Sequence, residues 1–234
     1  SLFRLVKSYR PDIVCFQEFT PETGGGSREI VDALMGESYY STEYEEFTGN
    51  VIYSKYPIIE SGLTREDMEG VRSIWADVVI AKRDTIRIYN HHLHSTAINS
   101  EDDLFLSRDN FIQDTAREEK LFSIVDRYRD NAIERASQAD SLAQAQAQCP
   151  YRMIVCGDFN DTPMSYTVNT LSDDLTDAFC EVGRGYGYTF RGFSNTLRID
   201  YVLLSEGWEV LYYTNPKVDL SDHLPIVTSL KLKK

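Results

Sequence analysis

The sequence predicts an α+β fold in which two mixed β-sheets pack together and helices cover them. Short apolar runs rich in β-branched and aromatic residues recur along the chain, and some form hairpin-like pairs. By contrast, residues 100–148 have the composition and spacing of helices. Strands that are followed by helices and then by late hairpins indicate a mixed sheet rather than a regular βαβ alternation.

Eight runs are predicted to be strands, and the first is nearly continuous in apolar residues, as in a central buried strand. The predicted strands are residues 12–17, 50–54, 73–80, 85–92, 151–156, 198–204, 208–213 and 226–232. Residues 1–10 and 27–35 are predicted to be helices. The Ala/Gln-rich segment 136–148 has a high helix propensity but a thin apolar face, which favours an outer helix.

The composition is that of one globular domain, which we predict to span residues 1–234. Hydrophobic residues make up 42% of the chain, which is enough to bury a sizeable core. No apolar run approaches the roughly 18 residues that a membrane-spanning helix needs. The chain begins without Met, so we expect any targeting or anchor segment to lie before Ser1, and the cellular location stays open.

The net charge of −13 limits the partners that the protein can bind. A field of this sign repels polyphosphate backbones, which disfavours non-specific coating of nucleic acid. It does not disfavour an enzyme that reaches a single phosphate through bound cations. We expect the protein to act as a monomer.

Short motifs with acidic and amide side chains follow two of the predicted strands. Glu18 emerges directly from the apolar run IVCF, where a carboxylate needs a partner or a cation, so it is either a ligand of Mg²⁺ or part of a loop salt bridge. Asp158 and Asn160 follow the run MIVC in the motif GDFN. Asp158 can orient or deprotonate a water molecule, and Asn160 can donate to a phosphate oxygen; the alternative is an ordinary turn.

The histidines and the remaining acidic motifs complete a candidate site. Asp200 begins a predicted strand, and a buried Asp beside a His is the usual way to fix the imidazole tautomer. In SDHLP, Asp222 could reach a metal ion and His223 a phosphate oxygen. Three of the four histidines lie in HHLH, where we interpret His92 as a supporting or phosphate-contacting residue. His91 and His94 are interpreted as ordinary strand and loop residues.

Taken in order, the motifs resemble the endonuclease/exonuclease/phosphatase family, which has the fold of pancreatic deoxyribonuclease. The resemblance spans nearly the whole chain and rests on PDIVCFQE, GNVIYSKYPI, RIYNHHLHS, MIVCGDFNDTP, RIDYVLLS and SDHLPIV. The chain is most similar to the branch that contains tyrosyl-DNA phosphodiesterases and uncharacterised bacterial members. The implied fold is a four-layer sandwich of two packed mixed β-sheets flanked by helices.

The resemblance also implies a role for each candidate residue. Glu18 and Asp222 would hold Mg²⁺ or Mn²⁺, and Asp158 would align the attacking water. Catalysis would involve Asp158, His223, Asp200 and His92, and substrate binding Asn160 and Arg72. The family begins with a strand that ends in a metal-holding Asn, and this chain begins in the helix after it, so we expect the domain to lack that strand.

The function predicted from the sequence is metal-dependent hydrolysis of a phosphodiester by water that Asp158 directs, with nucleic acid as the first substrate class. A phosphoinositide or phospholipid head group is the second substrate class. The alternative from another functional class is a non-catalytic binding domain with the same fold. Metal titration distinguishes the two, because a binding domain need not hold Mg²⁺ or Mn²⁺.

Overall fold

The structure of the protein, a computed structural model, describes residues 2–19, 39–42, 49–64, 72–81, 84–96, 100–107 and 115–233. Five α-helices lie in these ranges: α1 Leu2–Tyr9, α2 Ser100–Ser107, α3 Thr115–Ala147, α4 Tyr166–Leu171 and α5 Ala178–Val182. The strands in these ranges are β1 Ile13–Phe16, β2 Tyr40–Ser41, β3 Val51–Ser54, β4 Ile58–Leu63, β5 Arg72–Ala81, β6 Asp84–His92, β7 Arg152–Asp158, β8 Thr176–Asp177, β9 Asp200–Leu204, β10 Trp208–Thr214 and β11 Val227–Leu232.

The described strands form three sheets. A six-stranded sheet has the order β4-β5-β6-β7-β9-β8, in which β6 and β7 are parallel and all other neighbours are antiparallel. A three-stranded antiparallel sheet has the order β1-β3-β2, and β10 pairs with β11 in a two-stranded sheet. The six-stranded sheet is therefore the mixed sheet that the sequence predicts.

Strand alternation divides the six-stranded sheet into an inner face and an outer face. The inner face, with Ile86 and Ile88 of β6, packs on Ile52 of β3 and on Ile13 and Cys15 of β1. The outer face packs on the long helix α3 and on α4; its contacts involve Tyr89, Leu93, Val155, Tyr201, Leu203, Ala139, Leu142, Val168 and Leu171.

Helix α1 covers the far side of the three-stranded sheet. Its Val6 packs against Val51 and Tyr53, which point away from the inner face. On the other flank, the β10–β11 hairpin packs on the inner face of β9 through Val202, Leu204 and Tyr213. The order of layers is thus helix, sheet, sheet, helix, and the predicted four-layer α+β fold is confirmed.

All eight predicted strands are present to within a few residues, and three short or polar strands were not predicted. The missed strands are β2, β4 and β8. The prediction of a central buried position for β1 was wrong for the described sheet, where β1 lies at one end and its residues are only half-buried. The helix predicted at residues 27–35 lies outside the described residues. The single-domain boundaries and the missing first strand stay predictions.

The long helix α3 reverses the expected pattern of burial. Leu121 and Val125 recur at helical spacing, yet both are exposed, whereas Ala139 and Leu142 of the Ala/Gln-rich part are completely buried. In the first part of the helix Ile124 is buried, but the Ala/Gln-rich segment is the part that joins the core on the outer face of the sheet, although it has little apolar surface. Among the described helices, none is long and apolar enough to span a membrane.

Gly157 is the tightest point of the parallel pair β6–β7. Its φ is +138°, and a Cβ atom at this position would lie 1.9 Å from the carbonyl oxygen of His91. Because the obstacle is backbone rather than a flexible side chain, any larger residue would have to separate the two strands. Gly157 is therefore required for β7 to reach the end of its pairing with β6.

We expect Gly157→Ala to lower the free energy of unfolding by at least ~3 kcal/mol, because it forces β6 and β7 apart. The matched control is Gly185→Ala: Gly185 also has a positive φ, +75°, but a Cβ there meets no described atom within 4 Å. The control should lose only ~1–2 kcal/mol from backbone strain. Urea unfolding measures both variants, and equal losses would contradict the close approach at Gly157.

Candidate active site

Four predicted site residues form one row across the end of the six-stranded sheet. In the pairing register Arg72 lies opposite His92, His92 opposite Asp158, and Asp158 opposite Asp200. His92 follows Ile88 by an even number of residues, so its side chain lies on the inner face. The parallel pairing of β6 and β7 brings the carboxyl ends of both strands to this edge, which places His92 beside Asp158.

The GDFN motif orients the Asp158 carboxylate through the residues that follow it. The backbone N–H of Asn160 donates to Oδ1 of Asp158 (2.8 Å), and the Asn160 side-chain amide donates to Oδ2 (3.1 Å) and to the Leu93 carbonyl (3.0 Å). Asn160 has a φ of +50°, a conformation that Asn tolerates better than most residues. Both residues are buried, so these bonds hold the carboxylate in one orientation.

His223 is held between two carboxylates. Its Nδ1 donates to Asp200 (2.9 Å to Oδ2), which directs Nε2 toward Asp158, with 3.8 Å between Nε2 and Oδ2. Phe190 forms a β-bridge with His223, and the two ring centroids are 5.1 Å apart. The bond between Asp200 and Nδ1 thus has the geometry that fixes the tautomer of the His223 imidazole.

The charges of the row shift the pKa values of its members. Burial lowers the pKa of His223, but its hydrogen bond to Asp200 and the charges of Asp200, Asp158 and Asp222 outweigh burial and raise the pKa to about 9. Burial and the charge of Asp200 raise the pKa of Asp158 to about 8. Without a bound cation, the site therefore favours a protonated imidazole and disfavours ionisation of Asp158.

Glu18 and His92 meet at the side of the row. Glu18 has a φ of +51°, and its carboxylate is 76% exposed with Oε1 at 3.7 Å from Nε2 of His92. Burial lowers the pKa of His92, and the nearby charge of Glu18 opposes that effect. Nδ1 of His92 is buried and has no hydrogen-bond partner among the described residues, so the ring is held mainly by packing.

Asp222 and Arg72 are exposed side chains beside these groups. The Asp222 carboxylate accepts a hydrogen bond from the Ser221 hydroxyl, and the Asp222 carbonyl accepts one from the backbone N–H of Arg191. Arg72 is close enough for its charge to lower the pKa of His92. Every predicted site residue therefore lies in or beside the row, while the assigned roles of these residues stay predictions.

The donor atoms of the row fit a hard divalent cation. Asp158, Asp200 and His223 each offer one ligand atom, and these atoms all lie within 4.8 Å of one another. Two carboxylates this close repel each other, and that repulsion adds to the effect of burial in raising the pKa of Asp158. Oxygen ligands of this kind suit Mg²⁺ or Mn²⁺, and the charge of such an ion would relieve the repulsion.

Two supporting networks behind the row were not predicted from the sequence. Arg135 of α3 is completely buried, and its Nε donates to Asp161 Oδ2 (3.1 Å), which anchors the loop after Asn160 to the helix. His91 lies on the outer face between the Ser73 hydroxyl (2.5 Å) and Gln146 (3.1 Å). Asp161 directly follows the GDFN motif, which draws attention to it. Arg135 gives no such signal, because nothing in the sequence of a long helix shows that one of its charged residues is buried.

The pKa of His223 is a measurable property of this geometry. We expect imidazole proton resonances of metal-free protein to titrate with a midpoint near pH 9 for His223, whereas His91, whose burial lowers its pKa to about 3, keeps its neutral form at neutral pH. In Asp200→Asn the midpoint of His223 should fall, because burial still lowers its pKa while the charge of Asp200, which raises it, is gone. NMR titration measures this shift, and an unchanged midpoint would contradict the assigned Asp200–His223 bond.

The raised pKa of His223 also has a consequence for stability, with a definite sign. Its folded value of about 9 lies above its ordinary value of 6.5, so its stabilisation is complete below pH 6.5 and is lost as pH rises through 9. Asp200→Asn should reduce that loss, which urea unfolding at pH 6 and pH 9.5 measures.

Comparisons with known proteins place this geometry in a family. The family model described as Endonuclease/Exonuclease/phosphatase family matches residues 1–223. No sequence among the curated proteins matches significantly. Members of the matched family are hydrolases that act on phosphate esters.

Solved structures with the same fold share little sequence with the chain. A Neisseria 3′ phosphatase, NExo, bound to a product DNA hairpin, is 16% identical with a TM-score of 0.67, covering 98% of this chain and 93% of that one. Truncated Caenorhabditis elegans TDP2 is 17% identical (TM-score 0.64; 96% and 86% covered). A Bacteroides thetaiotaomicron mannosyl-6-phosphatase is 15% identical (TM-score 0.60; 99% and 89% covered).

These structures agree in fold with the sandwich described above, and the family model spans all of the site residues. The resemblance inferred from the motifs is thereby confirmed. The chain belongs to the endonuclease/exonuclease/phosphatase family.

Proposed function

We propose that the protein hydrolyses a phosphodiester with Mg²⁺ or Mn²⁺, and that nucleic acid is its first substrate class. The observation that carries this proposal is the row Arg72, His92, Asp158 and Asp200, which His223 completes. It combines a carboxylate held in one orientation with an imidazole of raised pKa and an exposed guanidinium. Such a set supplies a base, a proton donor and a phosphate-binding cation within one small region.

Asp158 is the residue that directs water in this mechanism. Its carboxylate is fixed by the two donors of Asn160, so an accepted water proton would be held at a defined place. Asp158 must be ionised to act as a base, and a nearby divalent cation would lower its raised pKa. Mg²⁺ or Mn²⁺, when bound, supplies positive charge that polarises the phosphate and stabilises the leaving oxygen.

His223 and Asn160 act on the phosphate itself. With Nδ1 bound to Asp200 and a pKa of about 9, His223 carries a proton on Nε2 at neutral pH and can donate it to a phosphate oxygen. Asn160 lies beside the same edge and can offer its amide once substrate competes with the Leu93 carbonyl. Asp200 is the positioning partner of His223. Glu18 and Asp222 are the proposed metal ligands in place of the Asp158–Asp200–His223 cluster, whose three groups then act on water and phosphate.

The surroundings of the row bear on the substrate. Phe190 and Arg191, from the Gly- and aromatic-rich segment 185–193, lie against His223 and Asp222, so an aromatic ring lies next to the row. This aromatic ring and the exposed guanidinium of Arg72 suit a nucleotide beside its phosphate. One structural relative is a 3′ phosphatase bound to DNA, and another is a mannosyl-6-phosphatase. If the protein hydrolysed only a phosphate monoester, the proposed diester substrate would have to be replaced.

Asp158→Asn should lower kcat by about 10²–10⁴-fold, because it removes the base while keeping the size of the side chain. The assay is hydrolysis of bis-p-nitrophenyl phosphate and p-nitrophenyl phosphate with Mg²⁺, Mn²⁺ or EDTA. Asp173→Asn, a change of the same kind at an exposed position, should keep the wild-type rate. An Asp158→Asn variant that is folded and fully active would refute the proposed base. Loss of the rate on bis-p-nitrophenyl phosphate, with the rate on p-nitrophenyl phosphate unchanged, would support the diester as substrate.

Arg72→Ala should raise KM for the diester by about 10–100-fold with little change in kcat, because a charge-assisted hydrogen bond to the phosphate is lost. The control is Arg129→Ala, since Arg129 is exposed on α3 and is paired with Asp126 and Asp130. Steady-state kinetics of both variants give the result. Equal KM values for Arg72→Ala and wild type would remove Arg72 from the substrate contacts.

A further inference from the structure

Amide side chains join the two sheets immediately behind the candidate active site. Asn50 precedes β3, Asn90 lies in β6, and both are completely buried; Gln17 follows β1 and is half-buried. Around them the interface between the sheets is apolar and contains Ile52, Ile74 and Ile88. Buried amides in such a setting are costly unless they are hydrogen-bonded, so the bonds that they make are informative.

Asn90 directs its polar atoms across the interface. Its Nδ2 donates to the carbonyls of Phe16 (2.9 Å) and Val51 (3.3 Å), the last residue of β1 and the first of β3. Its Oδ1 accepts a hydrogen bond from Nε2 of Gln17 (2.5 Å). One side chain of the six-stranded sheet thus holds the end of β1 and the residue that follows it.

Asn50 makes the reciprocal connection from the other sheet. Its Nδ2 donates to the carbonyl of Arg72 in β5 and to the carbonyl of Asn90 in β6, each at 3.1 Å. The two asparagines therefore tie β1 and β3 to β5 and β6 from both directions. Arg72 is itself a member of the row, so the connection reaches the site directly.

The tied segment is the one that carries Glu18. Gln17 precedes Glu18, and Glu18 has a left-handed backbone conformation that is unfavourable for this residue type. Phe19 then donates its backbone N–H to the Gly49 carbonyl (2.8 Å), next to Asn50. A strained Glu persists only where its neighbours over-determine the backbone, and the bonds of Asn90 and Gln17 lie immediately before it.

We propose that Asn90 is a positioning residue that sets the distance between Glu18 and the row of His92 and Asp158. Asn90 and His92 lie on the same face of β6, so Asn90 holds the β1 end over the face from which His92 contacts Glu18. The affinity for the divalent cation then depends on Asn90, although Asn90 touches neither substrate nor metal. This inference rests on the proposed function, in which Glu18 is a metal ligand.

Asn90→Leu replaces the amide with an apolar group of similar size, and the carbonyls of Phe16 and Val51 then lose this donor. We expect it to raise the Kd for Mn²⁺ by about 10–100-fold, as loss of a group that orients a metal ligand does. Gln17→Met removes one bond of the same network and should raise the Kd less. The Phe19 amide should also exchange its hydrogen faster in both variants, a readout that needs no metal.

The matched control is Ile86→Val, a buried change on the same strand and the same face but at its opposite end. It should lower the melting temperature while leaving the Kd for Mn²⁺ within about twofold of wild type. Titration calorimetry with Mn²⁺, together with amide exchange, measures all four proteins. If Asn90→Leu does not fold, the Gln17→Met variant decides.

Wild-type Kd and wild-type exchange in folded Asn90→Leu or Gln17→Met would overturn the positioning role while leaving the proposed hydrolysis intact. An equal rise in Kd for Ile86→Val would also overturn it, because the effect would then come from general destabilisation. Absence of Mn²⁺ binding by the wild-type protein would overturn the proposed function, and this inference with it.

Discussion

The site depends on the face-to-face packing of the two sheets. Each residue of the row sits at the end of a strand whose inner face is buried against the three-stranded sheet or the β10–β11 hairpin. Alternation along the strand therefore decides which side chains can meet. His92, Asp158 and Asp200 share that face because they lie opposite one another in the pairing register of β6, β7 and β9. A shift of one residue in any pairing would turn one of these side chains toward helix α3.

Packing also brings charged groups close together at positions that are partly shielded from water. Burial and the charge of Asp200 raise the pKa of Asp158, while Asp200 and its neighbours raise that of His223. Each of these charged groups alone would destabilise the fold, since burial of a carboxylate or of an imidazolium costs free energy. Under the proposed function, a cation and a phosphate would balance this charge distribution, as electrostatic catalysis requires.

Much of the fold and the site was predictable because its signals are local. The apolar runs before Glu18 and Asp158 identified the strands, and the motifs that end them identified the side chains. The runs missed were β2 and β8, which are short, and β4, in which no residue is fully buried. Arg135, His91 and Asn90 were missed as supporting residues for a different reason. Their roles arise from partners dozens of residues away, and a single sequence carries no pattern for such contacts.

The parallel pairing of β6 and β7 has a consequence for how the site comes into being. These strands are separated in sequence by the whole of α2 and α3, so His92 and Asp158 become neighbours only when a long loop of chain has closed. Closing such a loop is entropically costly and is rewarded only when the strands pair. No short piece of the chain can therefore hold both residues in place, and the row exists only where β6 and β7 have paired.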